Sequence, residues 1–515
     1  MANQNSSRSS KERSCGVLLH LTSLPSRWGV GDMGRGADLF LDFLSSSGQT
    51  LWQVLPLLPT DPDQGHSPYS GLSAFAGNPF FISPELLVED DLLEASDLEN
   101  HRPVPGGFCR YESAEVIKGS LFQRAFERSS DLPDAEYSRF REDNAFWLED
   151  YALFRSLKRR LALPWHEWSP PLRDRDRDAL AEAKRDLDDE IKLEIFLQFL
   201  FFRQWNRLHG LCRERGVRVI GDMPIYVSHD SADVWIHREL FNLDAAGNPV
   251  RVAGVPPDYL SATMQRWDNP VYRWDILERE HFSWWLKRLR HAVALFDLVR
   301  FDHFRGLVKF WSIPAGEDSV AAGAWADASP DAFFKAVRES FPGLPFIAED
   351  LGCITPDVTE HVRRLGIPGT LVLQFAFGRG FEKSPHAPRN YGENACVFTG
   401  THDNNTARGW FESEADSLAR EQLSALAGVS VTGDNVSLEM MKLVLSSRAR
   451  LALYPMQDIL GLGGEARLNT PGKPSGNWLW RVEEEQLMNA PAEELAAMAA
   501  RHGRRSPGKK KGRSE

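Results

Sequence analysis

No apolar run in this chain approaches the roughly 20 residues needed to span a bilayer. Its opening stretch, MANQNSSRSSKERSCG, has no apolar segment of the secretory kind. The expected compartment is therefore the cytoplasm. Cysteine is scarce: Cys15, Cys109, Cys212, Cys353 and Cys396 are odd in number, scattered and free of CxxC spacing. That pattern supports neither a disulfide framework nor a zinc site, so reduced and mostly buried thiols are expected, with no metal centre. Basic residues are outnumbered, 60 Lys and Arg against 72 Asp and Glu, for a formal net charge of −12. Nucleic acid and anionic membranes reward clustered positive charge, so both are excluded as partners over most of the surface, and a neutral substrate is easier to accept.

What is present is material for a large core. The chain has 515 residues, 42% of them hydrophobic, enough for one large domain with insertions or for two. Short runs rich in Val, Ile, Leu and Phe alternate with helix-like stretches, the pattern of β and α units around a parallel sheet. Eight such runs begin at Gly16, Thr50, Arg218, Phe296, Leu344, Gly369, Cys396 and Leu451. Eight parallel strands close most economically into a (β/α)8 TIM barrel. The barrel is expected over residues 14–503, with a flexible N-terminus at 1–13 and a basic, disordered tail at 504–515. Insertions are expected at about 60–215 and 226–285. Helix-like patterns such as NAFWLEDYALFRSLKRRL make the first of these helical. The second, rich in Pro, Gly and aromatics, reads as an ordered loop over the same barrel face. Gly29, Gly31 and Gly34 match GxGxxG formally, but a turn rather than a strand precedes them, so they read as loop-shaping residues rather than a dinucleotide site.

Three carboxylates stand where strands end: Asp302 after DLVRF, Glu349 after PFIA and Asp403 after VFTGTH. Acids at the carboxyl ends of successive barrel strands converge on the face where such barrels carry out chemistry. Retaining cleavage of a glycosidic bond needs a nucleophilic carboxylate and a protonated carboxyl about 5 to 5.5 Å apart, with pKa values pushed apart by their surroundings. Asp302, the shorter arm, reads as nucleophile, and Glu349, the longer arm, as acid/base. Arg300 lies two residues before Asp302 on the same side of the strand and is placed to keep it charged. Asp403 and His402 read as sugar-binding groups, with Asp222 a further strand-end acid. Each acid alone could equally cap a helix; the set together is hard to read that way. Asp350, which cannot face inward together with Glu349, reads as the structural member of that pair. Aromatics on loops stack on glucose rings, which singles out Tyr259, Trp267, Tyr272 and Trp274 in VPPDYLSATMQRWDNPVYRW, with Gln265 in the same loop. Ser67 and Tyr69 in HSPYSGLSAFAGNP lie on what reads as a strand-to-helix loop.

These segments, from CGVLLHLTSLPSRWGVGDMG through SPYSGLSAFAGNPF, GDMPIYVSHDSADVW, VRFDHFRG, IAEDLG and GTHDNNT to LYPMQDILGLG and GNWLWR, resemble the 4-α-glucanotransferases of the amylomaltase type, glycoside hydrolase family 77. The resemblance implies a barrel with inserted subdomains, no separate C-terminal β domain and no required cofactor. It implies Asp302 as nucleophile, Glu349 as acid/base and Asp403 as transition-state stabiliser. It further implies transfer of segments among maltodextrin, glycogen or starch-type α-glucans, with the loop from Tyr259 to Trp274 over the groove. An α-amylase-type hydrolase and a glucan-binding scaffold without catalysis are the competing readings. Three departures stand out: Met264 and Asp268 replace two glycines common in that loop, Asn405 replaces a frequent Asp, and Leu21 a common Pro.

Overall fold

The computed structural model describes residues 13–129, 134–256, 264–317 and 319–504. Within them lie twelve strands: β1 (Ser14–Leu18), β2 (Leu51–Gln53), β3 (Arg218–Met223), β4 (Arg251–Val255), β5 (Gln265–Pro270), β6 (Leu298–Phe301), β7 (Lys309–Pro314), β8 (Ala324–Asp327), β9 (Phe346–Ala348), β10 (Gly369–Val372), β11 (Ala395–Phe398) and β12 (Leu451–Pro455). Eight of them close a barrel in the order β1-β12-β11-β10-β9-β6-β3-β2, and every described pairing between them is parallel. All eight apolar runs singled out in the sequence supply these strands.

Side chains alternate along each strand, and the two sets do different work. One set packs outward against helices: Val17, Trp52, Val219, Val299, Ala348 and Val397 belong to the large core. The other packs inward as an apolar plug that includes Leu18, Leu51, Ile220, Ile347, Phe398 and Leu453. Continued toward the carboxyl ends, the inward rows become polar. Ile220 is followed by Asp222, Leu298 by Arg300 and Asp302, and Ile347 by Glu349. Register sets Asp222 beside Arg300 across β3 and β6. The ladder then runs on past the strands: Asp302 N donates to Met223 O at 3.0 Å, and Glu349 N to Phe301 O at 3.0 Å.

The segment between β2 and β3 is helical as expected, and it ends in the 27-residue helix Asp188–Glu214. Two buried glutamines on that helix clamp the loop after β2. Gln198 exchanges hydrogen bonds with both backbone groups of Gly77 (2.7 and 2.9 Å), and Gln204 with those of Ser83 (2.7 and 3.1 Å). A buried ion pair joins the insertion to the barrel. Lys118 Nζ reaches Asp32 at 2.9 Å and the carbonyls of Phe80 and Ile82 at 2.7 and 2.9 Å, with side chains only 1% and 4% exposed. The loop bearing the three glycines is shaped as the sequence suggests: Gly29 has φ 90°, and a Cβ on Gly31 would lie 2.0 Å from Leu21 O.

The second interruption is more than a loop. β4 and β5 join β7 and β8 in a four-stranded antiparallel sheet of order β5-β4-β7-β8. Two of its strands lie beyond β6, so the pairing is non-local, and no local pattern around 251–270 announces it. Tyr272 and Trp274, expected on the loop surface, are buried instead. Arg504, first residue of the expected tail, is also buried. It donates to the carbonyls of Leu445, Ser14 and Ala449 at 2.7, 2.9 and 2.8 Å. Arg13 shares the Leu445 carbonyl and reaches His502 O, both at 3.0 Å. Residues 1–12 and 505–515 lie outside the described residues.

Among the described residues no helix is long and apolar enough to cross a membrane. Removing one partner of a buried ion pair leaves an uncompensated charge. Lys118→Met is therefore expected to lower stability by about 3 to 5 kcal/mol. Adding Asp32→Asn should recover part of the loss, with both effects read from urea unfolding midpoints.

Candidate active site

A cavity of about 860 Å³ opens at the carboxyl ends of the barrel strands. Its wall includes Asp302, Glu349 and Asp403, so the three acids that lie apart in sequence share one space. Ser67, Tyr69, Gln265, Trp267 and Arg300 line it as well. Asp222 and His402 stand just behind the wall, with side chains 0% and 1% exposed. Tyr259 lies outside the described residues.

At the floor, Arg300 Nη1 donates to both oxygens of Asp222 at 2.7 Å and to Asp302 Oδ1 at 3.0 Å. Tyr69 completes the cluster: its hydroxyl donates to Asp222 Oδ2 at 2.8 Å. A phenol has a single proton, so the 2.8 Å contact to His402 Nε2 requires that nitrogen to carry a proton and donate to the Tyr69 oxygen. Burial and the Asp222 charge push the Tyr69 phenol well above its ordinary range, which keeps that proton in place.

The carboxylates differ in what surrounds them. Burial pushes Glu349 up to about 8; Arg300 opposes this and the Asp302 charge adds to it. Two backbone groups also hold Glu349, His303 N to Oε2 at 2.7 Å and Leu351 N to Oε1 at 3.0 Å, which favours the ionised form without reversing the balance. Asp302 is raised to about 6: burial again raises it, and Arg300 at 3.0 Å opposes. Asp403 goes the other way. Burial acts to raise it, but His402 at 3.3 Å, Asn469 Nδ2 at 2.6 Å and Arg300 hold it well below the usual carboxylate range. One cavity thus holds one carboxyl protonated near neutrality and two that ionise below it. Asp350 faces the other way and accepts from Thr370 N at 2.7 Å, a structural contact as its neighbour's orientation requires.

The mouth is shaped by the small sheet. Trp267 stands edge-on to His303 with ring centroids 4.9 Å apart, and its Nε1 donates to Gln265 Oε1 at 3.1 Å. Asp268, where the related pattern has glycine, adopts φ 58°, the left-handed region that favours glycine. Arg266 pairs with Asp268 and donates to Ala315 O at 3.0 Å, tying β5 to the turn after β7.

Sequence reasoning missed several cavity residues. Asn469 and the turn residues 470–477 line the wall, as do Arg305, Trp325 and Cys353. The TPGKPSGN run is a plain turn signal, but only the fold carries it to Asp403. Trp325 is a lone aromatic among small residues in AAGAWADASP, and nothing in that stretch marks it as a wall residue. Among the described residues no group of His, Cys, Asp or Glu is placed to hold a metal ion.

Comparison with known proteins follows the same lines. A family described as 4-alpha-glucanotransferase, glycoside hydrolase family 77, matches residues 19–487. A 4-alpha-glucanotransferase of Thermus thermophilus is 46% identical over 497 residues, 95% of this chain and 98% of its own. One from Aquifex aeolicus is 44% identical over 474 residues, 92% and 96% of the two chains. The amylomaltase of Streptococcus agalactiae, solved in complex with acarbose, superposes with a TM-score of 0.92 at 31% identity, covering 96% of this chain and 100% of that one. The amylomaltase of Corynebacterium glutamicum, at 19% identity and TM-score 0.77 over 96% of this chain and 75% of that one, shares the fold. With a barrel that closes as theirs does and a match over nearly its whole length, the chain belongs to the 4-alpha-glucanotransferase family.

Proposed function

We propose that this chain moves α-1,4-glucan segments from donor to acceptor by a retaining double displacement through a covalent glycosyl-enzyme. The observation that carries the reading is that Asp302, Glu349 and Asp403 line one cavity, Asp302 on Arg300 and Glu349 on two backbone amides; burial raises Glu349 to about 8 and Asp302 to about 6. In the first step Asp302 Oδ2, the oxygen Arg300 does not hold, attacks the anomeric carbon. The bond from that carbon to the glycosidic oxygen breaks, and Glu349 gives the departing oxygen its proton. A second glucan then enters. Its hydroxyl passes a proton to the Glu349 carboxylate and attacks the anomeric carbon, and the bond to Asp302 breaks. Two inversions leave the α linkage retained. Asp403, held ionised by His402 and Asn469, binds hydroxyls of the reacting sugar and faces the positive charge that develops at the ring. Asp222, withdrawn from the cavity, acts by holding Arg300 rather than by touching sugar.

Transfer requires a sugar hydroxyl to outcompete water for the intermediate. Trp267, His303 and Gln265 line the cavity beside the acids and support that bias by filling space that water would otherwise occupy. The substrates are linear maltodextrins and the outer chains of glycogen or starch-type glucans. A cytoplasmic setting fits the five cysteines, none of which is paired.

Incubation with maltotriose is expected to yield glucose plus a ladder of longer dextrins; conversion mainly to short sugars without chain growth would reject transfer. Asp302→Asn should lower kcat by about 10⁴-fold or more, while calorimetric affinity for maltodextrin stays within a few fold. Activity needs Asp302 ionised and Glu349 protonated. The rate should therefore rise with pH through about 6 and fall through about 8, a bell in kcat/KM measured across that range.

A further inference from the structure

Tryptophan is almost wholly internal in this protein, with one exception at the cavity. Of sixteen tryptophans, thirteen are buried and two half-buried, while Trp325 on β8 is 36% exposed. Its surroundings keep the ring in place. The Arg305 guanidinium lies over it at 3.8 Å from the ring centre, and Trp311 meets it at 5.2 Å and 72°. Arg305 is itself fixed, donating to Cys353 O at 2.6 Å and Thr355 Oγ1 at 3.0 Å. An indole stiffened in this way and left open to a cavity is an apolar face without a protein partner.

The position of that face along the groove follows from the strands. Tyr69, Arg300 and Asp403 gather at one part of the cavity, around the carbon that Asp302 would attack. The departing or arriving oxygen must meet Glu349. Beyond Glu349 the chain runs to Leu351 and Cys353, whose carbonyl holds Arg305, on which Trp325 stacks. Trp325, Arg305 and Cys353 line the same cavity as Asp302 and Glu349, and the carbonyl that anchors Arg305 lies four residues after the acid/base.

We infer that Trp325, backed by Arg305, is a stacking platform for an acceptor glucose ring beyond the one whose hydroxyl reacts. The apolar C–H face of a pyranose would cover the exposed indole, and the guanidinium behind the ring holds it flat. The platform rests on the glucan-transfer reading above. It makes the enzyme prefer acceptors of more than one unit, because glucose alone fills the reacting position and does not reach Trp325.

The test separates acceptor length from catalysis. With amylose as donor, incorporation of labelled glucose and of labelled maltotriose is measured for wild type, Trp325→Leu and Trp325→Phe. Trp325→Leu gives up the Arg305 and Trp311 contacts on an edge strand, so thermal midpoints are read in parallel and should fall only slightly. Trp325→Leu is expected to raise KM for maltotriose by roughly fivefold to tenfold, with kcat and the KM for glucose unmoved. Trp325→Phe should restore most of the maltotriose affinity. Equal effects on both acceptors, no effect on either, or no recovery with Phe would overturn the platform. A wild-type enzyme that incorporates neither label would reject transfer itself, and the platform with it.

Discussion

One guanidinium nitrogen, Arg300 Nη1, serves both Asp222 and Asp302, and the floor of the cavity is organised around it. The arrangement depends on a fully desolvated Asp222: its side chain has no exposure, and among the described residues Arg300 and Tyr69 supply its hydrogen bonds. Charges taken out of water are stable only when their hydrogen bonds are met. That condition fixes the Tyr69 hydroxyl, which fixes the proton on His402, which in turn helps keep Asp403 ionised. Asp302 receives what remains, a single contact from the same nitrogen, and its side chain stays a quarter exposed. It is thus stabilised as an anion and still open to the cavity.

The barrel was legible because its strands are covered on both faces, which makes them short continuous apolar runs bounded by turns. The site acids were legible for a related reason: the inward row of each strand leaves the plug and enters solvent at its carboxyl end, so Asp302 and Glu349 interrupt apolar patterns. The small sheet was not legible. β4 finds one partner in β5 and another in β7, the latter beyond a barrel strand, and β5 is mostly polar, so neither strand carries a pattern of its own. Asn469 was missed because a turn sequence reports a turn and says nothing of which acid it will meet. Tyr272 and Trp274 erred in the opposite direction, since an aromatic in a loop-like stretch reads the same whether it faces sugar or core.

The mouth of the cavity carries conformational cost. His303 and Asp268 both adopt left-handed backbone angles, φ 48° and 58°, on either side of Trp267. Such angles cost a non-glycine residue about 1 kcal/mol or more and persist when surrounding contacts hold them. For His303 those contacts include the edge of Trp267, and its amide donates to Glu349. For Asp268 the contact is Arg266, itself bonded to the turn after β7. This part of the cavity wall is thereby shaped in the empty protein, which lowers the ordering cost of binding.

Arg13 and Arg504 meet on the Leu445 carbonyl beneath the amino end of β1. The two ends of the described chain are therefore neighbours, on the face opposite the groove. Where the polypeptide is cut open is consequently arbitrary with respect to the chemistry: a linker joining those ends, with new termini in an exposed loop, would preserve every strand neighbour in the barrel. Arg13 and Arg504 thus sit at the end of the barrel away from the site acids, so a junction made between them leaves the cavity wall untouched.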